Sequence, residues 1–302
     1  GDGIIRYFHV KYGIPRENLL AGNGSTEIIY LLPRALGLKR VLVVSLSYND
    51  YSRASLLSGA RVDRDPLTPE TLFSSLDVDK ISNLLRYSDA LWLGNPNNPT
   101  GSLFNKQTIM TLADRYPEQW FIIDEAFMPF VEDDQNYSFM EPPSKSNVVV
   151  IRSLTKFYAL AGIRLGGAVA HSDVITRLKR LKEPWTVNGP AEKIALHLID
   201  TGHYEDETRH LVKKERGRLI HGLQSIPGIE PYPSGSNFIL CQWKRSDNLD
   251  DLIGHLLSRG IYIRDCRNFP ELEDNYFRLA VRTAAENAKL MSAMTSLPDG
   301  YE

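Results

Sequence analysis

Val148-Val149-Val150-Ile151-Arg152-Ser153-Leu154-Thr155-Lys156-Phe157-Tyr158-Ala159-Leu160-Ala161-Gly162-Ile163-Arg164-Leu165-Gly166-Gly167 is the stretch on which the fold turns. Its first four residues are apolar and all β-branched, the make-up of a buried strand. Lys156 follows between small hydroxyl residues, and Gly162, Arg164, Gly166 and Gly167 come within a few positions. An ammonium at the end of a buried strand is poorly solvated, so its pKa falls and the neutral, nucleophilic amine becomes accessible. Arg164 pushes the same way and is a fitting phosphate holder.

Outward from this run, apolar strand-like segments alternate with helical patterns. The strands predicted are Val41–Ser45, Ala90–Leu93, Trp120–Ile123, Val148–Ile151 and Leu165–Ala170. Helices are predicted at Thr26–Leu36, Asp50–Leu57, Pro69–Leu76, Lys106–Tyr116, Asp173–Leu181 and Gly189–Asp200, and an amphipathic pattern opens the chain at Ile4–Val10. This alternation predicts an α/β fold: a large domain, residues 1–212, around a mostly parallel central sheet. A charged helix over Tyr204–Ile226 leads to strands at Phe238–Gln242, Ile261–Arg264 and Tyr276–Val281, with helices at Leu249–Leu257 and Ala284–Ser296. That pattern predicts a smaller C-terminal α+β domain, residues 213–302. The polar, proline-bearing loop Asp133–Asn147 reads as a surface excursion.

The 302 residues are 42% hydrophobic and 24% charged, with a net charge of −2. Such a composition is that of a globular protein, and without a basic block it offers no electrostatic case for nucleic acid or an anionic membrane. No apolar run approaches the length of a membrane span, and no signal peptide opens the chain. The cysteines, Cys241 and Cys266, read as reduced thiols of a cytoplasmic protein.

Four further clusters bear on chemistry. Gly22-Asn23-Gly24-Ser25-Thr26 is a glycine turn entering a helix, either a phosphate cradle or a plain N-cap. Gly94-Asn95-Pro96-Asn97-Asn98-Pro99-Thr100-Gly101 is a rigid loop suited to aiming an amide from a strand end. Asp124 closes an apolar strand, where its carboxylate suits a protonated pyridine nitrogen; an N-cap or a metal ligand are the competing readings, and nothing else here has metal-ligand spacing. Arg264 and Arg278 alternate with apolar residues, as clamps for oxyanions or as strand-edge partners of surface acids, and Arg282 is left without a role. A lowered lysine, a phosphate anchor and hydroxyl donors are what a Schiff-base enzyme needs to hold pyridoxal 5'-phosphate (PLP); an exposed loop lysine between glycine turns has the same spelling.

Together, and in this order, the clusters resemble the class I/II aminotransferase family of fold-type-I PLP proteins, over nearly the whole chain. The resemblance implies that Lys156 is the Schiff-base residue. It implies that Ser153, Arg164 and the amides of Ser25 and Thr26 bind the cofactor phosphate. Asn98 then bonds the cofactor's phenolic oxygen, Asp124 keeps its pyridine nitrogen protonated, and the Tyr51 ring stacks on it. A homodimer is implied as well, and a phosphorylated amino acid as the small-molecule partner.

Within the family, Ser153–Ala159, Pro184–Asn188, Ile263–Cys266 and Phe277–Asn287 are more similar to the branch that decarboxylates L-threonine O-3-phosphate in cobalamin biosynthesis than to the branch that transaminates histidinol phosphate. Phe127 points the same way, since aminotransferases usually carry tyrosine there. The expected product is (R)-1-amino-2-propanol O-2-phosphate, with Arg264 on the substrate phosphate and Arg278 on its carboxylate. The alternatives are the histidinol-phosphate reaction and, from another class, a non-catalytic sensor domain of a regulator. Family members carry an N-terminal arm ending in Tyr-Pro before the helix that begins this chain, so an N-terminal segment is expected to be missing.

Overall fold

The apolar runs become the middle of a seven-stranded sheet. The computed structural model describes residues 1–245 and 248–297. In chain order its first part comprises α1 (Asp2–Tyr12), β1 (Leu19–Asn23), α2 (Gly24–Leu36), β2 (Arg40–Ser45), α3 (Asp50–Leu57) and β3 (Arg61–Pro66). There follow α4 (Val78–Leu85), β4 (Ala90–Gly94), α5 (Lys106–Arg115), β5 (Trp120–Asp124), β6 (Val148–Ser153), β7 (Leu165–Val169), α6 (Ser172–Leu181) and α7 (Gly189–His197). The sheet order is β1-β7-β6-β5-β4-β2-β3. Strands β2 to β6 run parallel, and β7 is antiparallel to both β6 and β1.

Successive side chains on a strand point to opposite faces, and both faces here are covered. Val41, Val43, Trp92, Ile122 and Val149 pack under α2, α3 and α6, while Leu42, Val44, Leu91, Leu93, Phe121 and Val150 pack under α1, α5 and α7. This is why the strands read as continuous apolar runs. The connections diverge between β2 and β4, and crevices of ligand-binding α/β sheets form beside such a switch point, past the carboxyl ends of the strands.

The long helix α8 (Gly202–Gln224) leads to β8 (Ile229–Pro231), β9 (Phe238–Trp243), α9 (Leu249–Ser258), β10 (Arg264–Asp265), β11 (Tyr276–Ala280) and α10 (Ala284–Thr295). The four strands form an antiparallel sheet in the order β10-β11-β9-β8. Its core draws on α8, α9 and α10, and also takes in Phe157, the residue after Lys156. Cys241 and Cys266 are free thiols buried in the protein. Among the described residues no helix is long and apolar enough to cross a membrane.

Several elements differ from the sequence expectation. Instead of a helix over Pro69–Leu76 there is one 3-10 turn, Pro69–Thr71, after which Leu72 and Phe73 adopt φ of 52° and 56°. That turn drives the Phe73 ring into the core, and the helix starts later, capped by Asp77, which accepts the Lys80 amide at 2.9 Å. Edge strand β3 reads as polar because charged residues blunt an exposed edge. Strand β1 was hidden by its small residues, which close approach requires: a Cβ on Gly167 would lie 2.6 Å from the Leu20 carbonyl oxygen. Of Ile261–Arg264 only Arg264 pairs in a sheet. The loop Asp133–Asn147 is more than a surface excursion, because it buries Phe139 and Met140 and places Ser138 and the Phe139 amide on Glu125.

Candidate active site

The connections that leave the carboxyl ends of β2, β4, β5 and β6, the start of α2 and strand β11 converge on one cavity of about 250 Å³. Seven of the ten residues singled out from sequence line it: Ser25, Thr26, Tyr51, Asn98, Asp124, Lys156 and Arg278.

Asp124 is the last residue of β5 and is 5% exposed. It accepts hydrogen bonds from the Tyr51 hydroxyl at 2.8 Å and from the Ala126 amide at 3.0 Å. Burial pushes its carboxyl above the ordinary range, with Tyr51, Ala126 and Lys156 pulling the other way. A buried carboxylate in that condition gains from a cation placed against it. Tyr51, in the first turn of α3, lines the cavity and donates its hydroxyl to Asp124. Its ring lies stacked on Trp92, with centroids 5.1 Å apart and planes within 10°.

Lys156 is less buried than its place near a strand end suggests, since the cavity leaves its side chain exposed. Its pKa is nonetheless lowered, first by desolvation from the cavity walls and then by Arg164 and Arg278, against an opposing pull from Asp124. The neutral fraction of this amine therefore rises at lower pH than in a surface lysine. In cofactor-free protein, acetylation of Lys156 by acetic anhydride should reach half its maximal rate below the pH found for the surface lysines, and Arg164→Gln should move that midpoint upward. Coincident midpoints for Lys156 and the surface lysines would refute the electrostatic account.

The start of α2 carries no side-chain cap. Arg164, at φ 61°, lies against it: its carbonyl accepts the Gly24 amide at 3.0 Å and its guanidinium reaches the Thr26 hydroxyl at 3.3 Å. Gly166 must lack a side chain, because a Cβ there would come within 2.5 Å of the Ser25 amide nitrogen. A cation held at the positive end of a helix dipole is unfavourable by itself. An anion between them satisfies both, so the residues present fit a phosphate group.

Three expected residues stand elsewhere. Ser153 is 2% exposed, and its hydroxyl bonds that of Thr155 at 2.8 Å beneath the cavity. Arg164 flanks the cavity from the α2 side. Arg264 pairs with Arg278 across β10 and β11 but is exposed at the rim, donating to the Asn268 side chain at 2.9 Å. Arg278 reaches inward to the Asn98 side-chain oxygen and lies 4.7 Å over the Phe238 ring. Arg282 is taken up by Glu286, at 2.6 Å, where the pair supports the start of α10.

Tyr48, Pro96, Ala126 and Phe127 also line the cavity. Phe127 and Pro96 belong to stretches already singled out in the sequence, whereas Tyr48 and Ala126 are signalled only by their closeness to Tyr51 and Asp124. The Glu125–Arg152 ion pair behind the site was missed. Glu125 and Arg152 are 0% and 1% exposed and 2.7 Å apart. Among the described residues no group of three or more His, Cys, Asp or Glu is placed to hold a metal ion.

Residues 3–294 match the family described as aminotransferase class I and II. The chain is 33% identical to the threonine-phosphate decarboxylase of Salmonella typhimurium over 305 residues, covering 97% of this chain and 82% of that one. It is 30% identical to the histidinol-phosphate aminotransferase of Caldanaerobacter subterraneus subsp. tengcongensis, covering 93% and 78%. Among solved structures, the histidinol-phosphate aminotransferase from Clostridium acetobutylicum superposes with a TM-score of 0.90 at 30% identity, over 97% of this chain and 87% of that one.

Proposed function

We infer the activity from one premise: the chain belongs to the class I and II aminotransferase family. It is a PLP-dependent enzyme, and the reaction is decarboxylation of L-threonine O-3-phosphate to (R)-1-amino-2-propanol O-2-phosphate in cobalamin biosynthesis. The likeness to the Salmonella typhimurium decarboxylase over almost the whole chain carries this reading. The site supports it by joining a cofactor-sized anion cradle to an arginine that faces inward.

The residues fit PLP. Lys156 would hold it covalently; the amides of Ser25 and Thr26, with Arg164 and, from below, Ser153, would hold its phosphate; Asp124 would pair with its ring nitrogen, and Asn98 with its phenolic oxygen. When bound, PLP supplies an electron sink for the charge left on a substrate carbon that loses its carboxyl group. The protein's part is orientation, because the bond that breaks is decided by how the two anionic ends of the substrate are held. Arg278, inside the cavity, takes the carboxylate, and Arg264, at the rim, takes the more remote phosphate. Binding energy at the phosphate end thereby holds the reacting end in line. Lys156, once free, is placed to return a proton to the carbon that lost CO2. Asp124, buried at the end of β5, would set a negative charge against the cofactor ring. The working form we infer is a cytoplasmic homodimer, on the family likeness.

Histidinol-phosphate transamination is the second reading, favoured by the superposition on the Clostridium acetobutylicum enzyme. The two separate in one assay of PLP-loaded protein. The decarboxylase reading expects CO2 and the amino alcohol phosphate from L-threonine O-3-phosphate with no keto acid added. Conversion of histidinol phosphate only when a keto acid is supplied, with no CO2 from threonine phosphate, would overturn it.

A further inference from the structure

The loop that carries Lys156 is a single turn, closed by the Leu160 amide on the Thr155 carbonyl at 2.9 Å. Its other two bonds are long, at 3.4 Å, from the Tyr158 amide to the Leu154 carbonyl and from the Ala159 amide to the Lys156 carbonyl. Ala159 adopts φ 53°, a left-handed conformation that a non-glycine residue keeps only when its surroundings impose it. The 6→1 bond from Leu160 to Thr155 is one such constraint, and the first turns of α8 hold the two residues between Lys156 and Ala159. The Tyr204 hydroxyl donates to the Phe157 carbonyl at 3.0 Å, and its ring stacks on Tyr158 at 5.9 Å. Arg209 lies 5.8 Å over the Phe157 ring. The Tyr158 hydroxyl donates to Glu205 at 2.6 Å and meets the Tyr7 hydroxyl of α1 at 3.0 Å.

Glu205 is the centre of this arrangement. It is 4% exposed, accepts from Thr201 and Arg209 at 3.1 Å each, and pairs with Lys11 of α1. Burial pushes its carboxyl up, but Lys11, Tyr158 and Thr201 more than reverse this, so it is held as an anion. One carboxylate thus ties α1, α8 and the residue two places after Lys156 into one knot. Removing an acceptor from such a network frees every donor that shares it.

We propose that Glu205 is a positioning residue for Lys156, acting through Tyr158 to lock the turn on which the lysine is mounted, with Tyr204 as a second latch on Phe157. The inference rests on Lys156 being the site's nucleophile, but not on which substrate is used.

The test compares Glu205→Gln, Tyr158→Phe and Tyr204→Phe. Its first readout is the acetylation midpoint of Lys156 in cofactor-free protein, which needs neither substrate nor turnover. The charged groups facing Lys156 are Arg164, Asp124 and Arg278, and all three variants leave them in place, so a shift in midpoint reports movement of the turn. Glu205→Gln and Tyr158→Phe should raise the midpoint toward that of the surface lysines, and Tyr204→Phe should do so by a smaller amount. In PLP-loaded protein kcat should fall roughly tenfold with KM unchanged, as expected for a misplaced group rather than a lost contact. Tyr158→Phe and Tyr204→Phe keep their rings, so they decide the matter should Glu205→Gln fail to fold. Unchanged midpoints and kcat in these two, with an unchanged urea midpoint, would overturn the proposal. Loss of the decarboxylase reading would leave the labelling result standing, and failure of the labelling would leave that reading intact.

Discussion

Lys156→Ala should lower kcat for L-threonine O-3-phosphate by at least about a thousandfold, within the range that a positioned acid–base group contributes, with the lost covalent hold on the cofactor adding to it. The same substitution should leave stability nearly unchanged, because the side chain stands exposed in the cavity and packs little apolar surface. PLP should still bind, held by the α2 amides, Arg164 and Asp124, but borohydride reduction should no longer fix it to the protein. A small amine added to the assay should restore part of the rate by substituting for the missing base. Peptide mapping and steady-state kinetics check these outcomes together. A variant turning over within tenfold of the parent, or still carrying a reducible adduct at this peptide, would remove Lys156 from its role.

The second large effect is on stability. Arg152→Met leaves the Glu125 carboxylate buried without its partner, and breaking a buried pair by removing one member costs about 3–5 kcal/mol. Glu125 also holds the Ser138 hydroxyl at 2.8 Å and the Phe139 amide at 2.5 Å, so it cannot leave the interior without unseating the Asp133–Asn147 loop. Burial pushes the Glu125 carboxyl up, and Arg152 is foremost among the groups pulling it down. In the variant the folded-state pKa rises further above the unfolded one, and the folded protein binds the extra proton. Stability is then retained below the unfolded pKa and lost as pH rises toward the folded pKa. The destabilisation measured by urea unfolding should accordingly be larger at pH 8 than at pH 5. Equal losses at both pH values would mean that removing Arg152 leaves the protonation of Glu125 in the folded protein unchanged between them, which would refute the linkage.

Most of the architecture was legible because the central strands are covered on both faces. Val41–Ser45, Ala90–Leu93, Trp120–Ile123 and Val148–Ile151 could hardly be anything but buried strands. The site was legible where chemistry coincides with a break in the pattern, as at Asp124, Lys156 and the two proline-flanked amides. What remained hidden depends on contacts distant in sequence. Glu205 reads as one more charge on a long charged helix, and only the fold sets it against Tyr158 and Lys11. Arg152 reads as a strand-end cation until Glu125 and Ser138 surround it. Arg264 and Arg278 look equivalent in sequence and pair directly across the small sheet, yet Arg278 on inner strand β11 lines the cavity while Arg264 on the two-residue edge strand β10 is exposed. The helix predicted after Pro69 gave way because the Phe73 ring gains more from the core than the segment gains from helical bonds.

Decarboxylation is followed most directly through the carboxyl carbon. L-threonine O-3-phosphate labelled with 13C at the carboxyl group is incubated with PLP-loaded protein without a keto acid, and the label is followed by NMR. The label is expected to appear in CO2 and bicarbonate in step with the amino alcohol phosphate, and Lys156→Ala should stop both. A label that stays in the amino acid, or passes into a 2-oxo acid once an acceptor is added, would contradict decarboxylation.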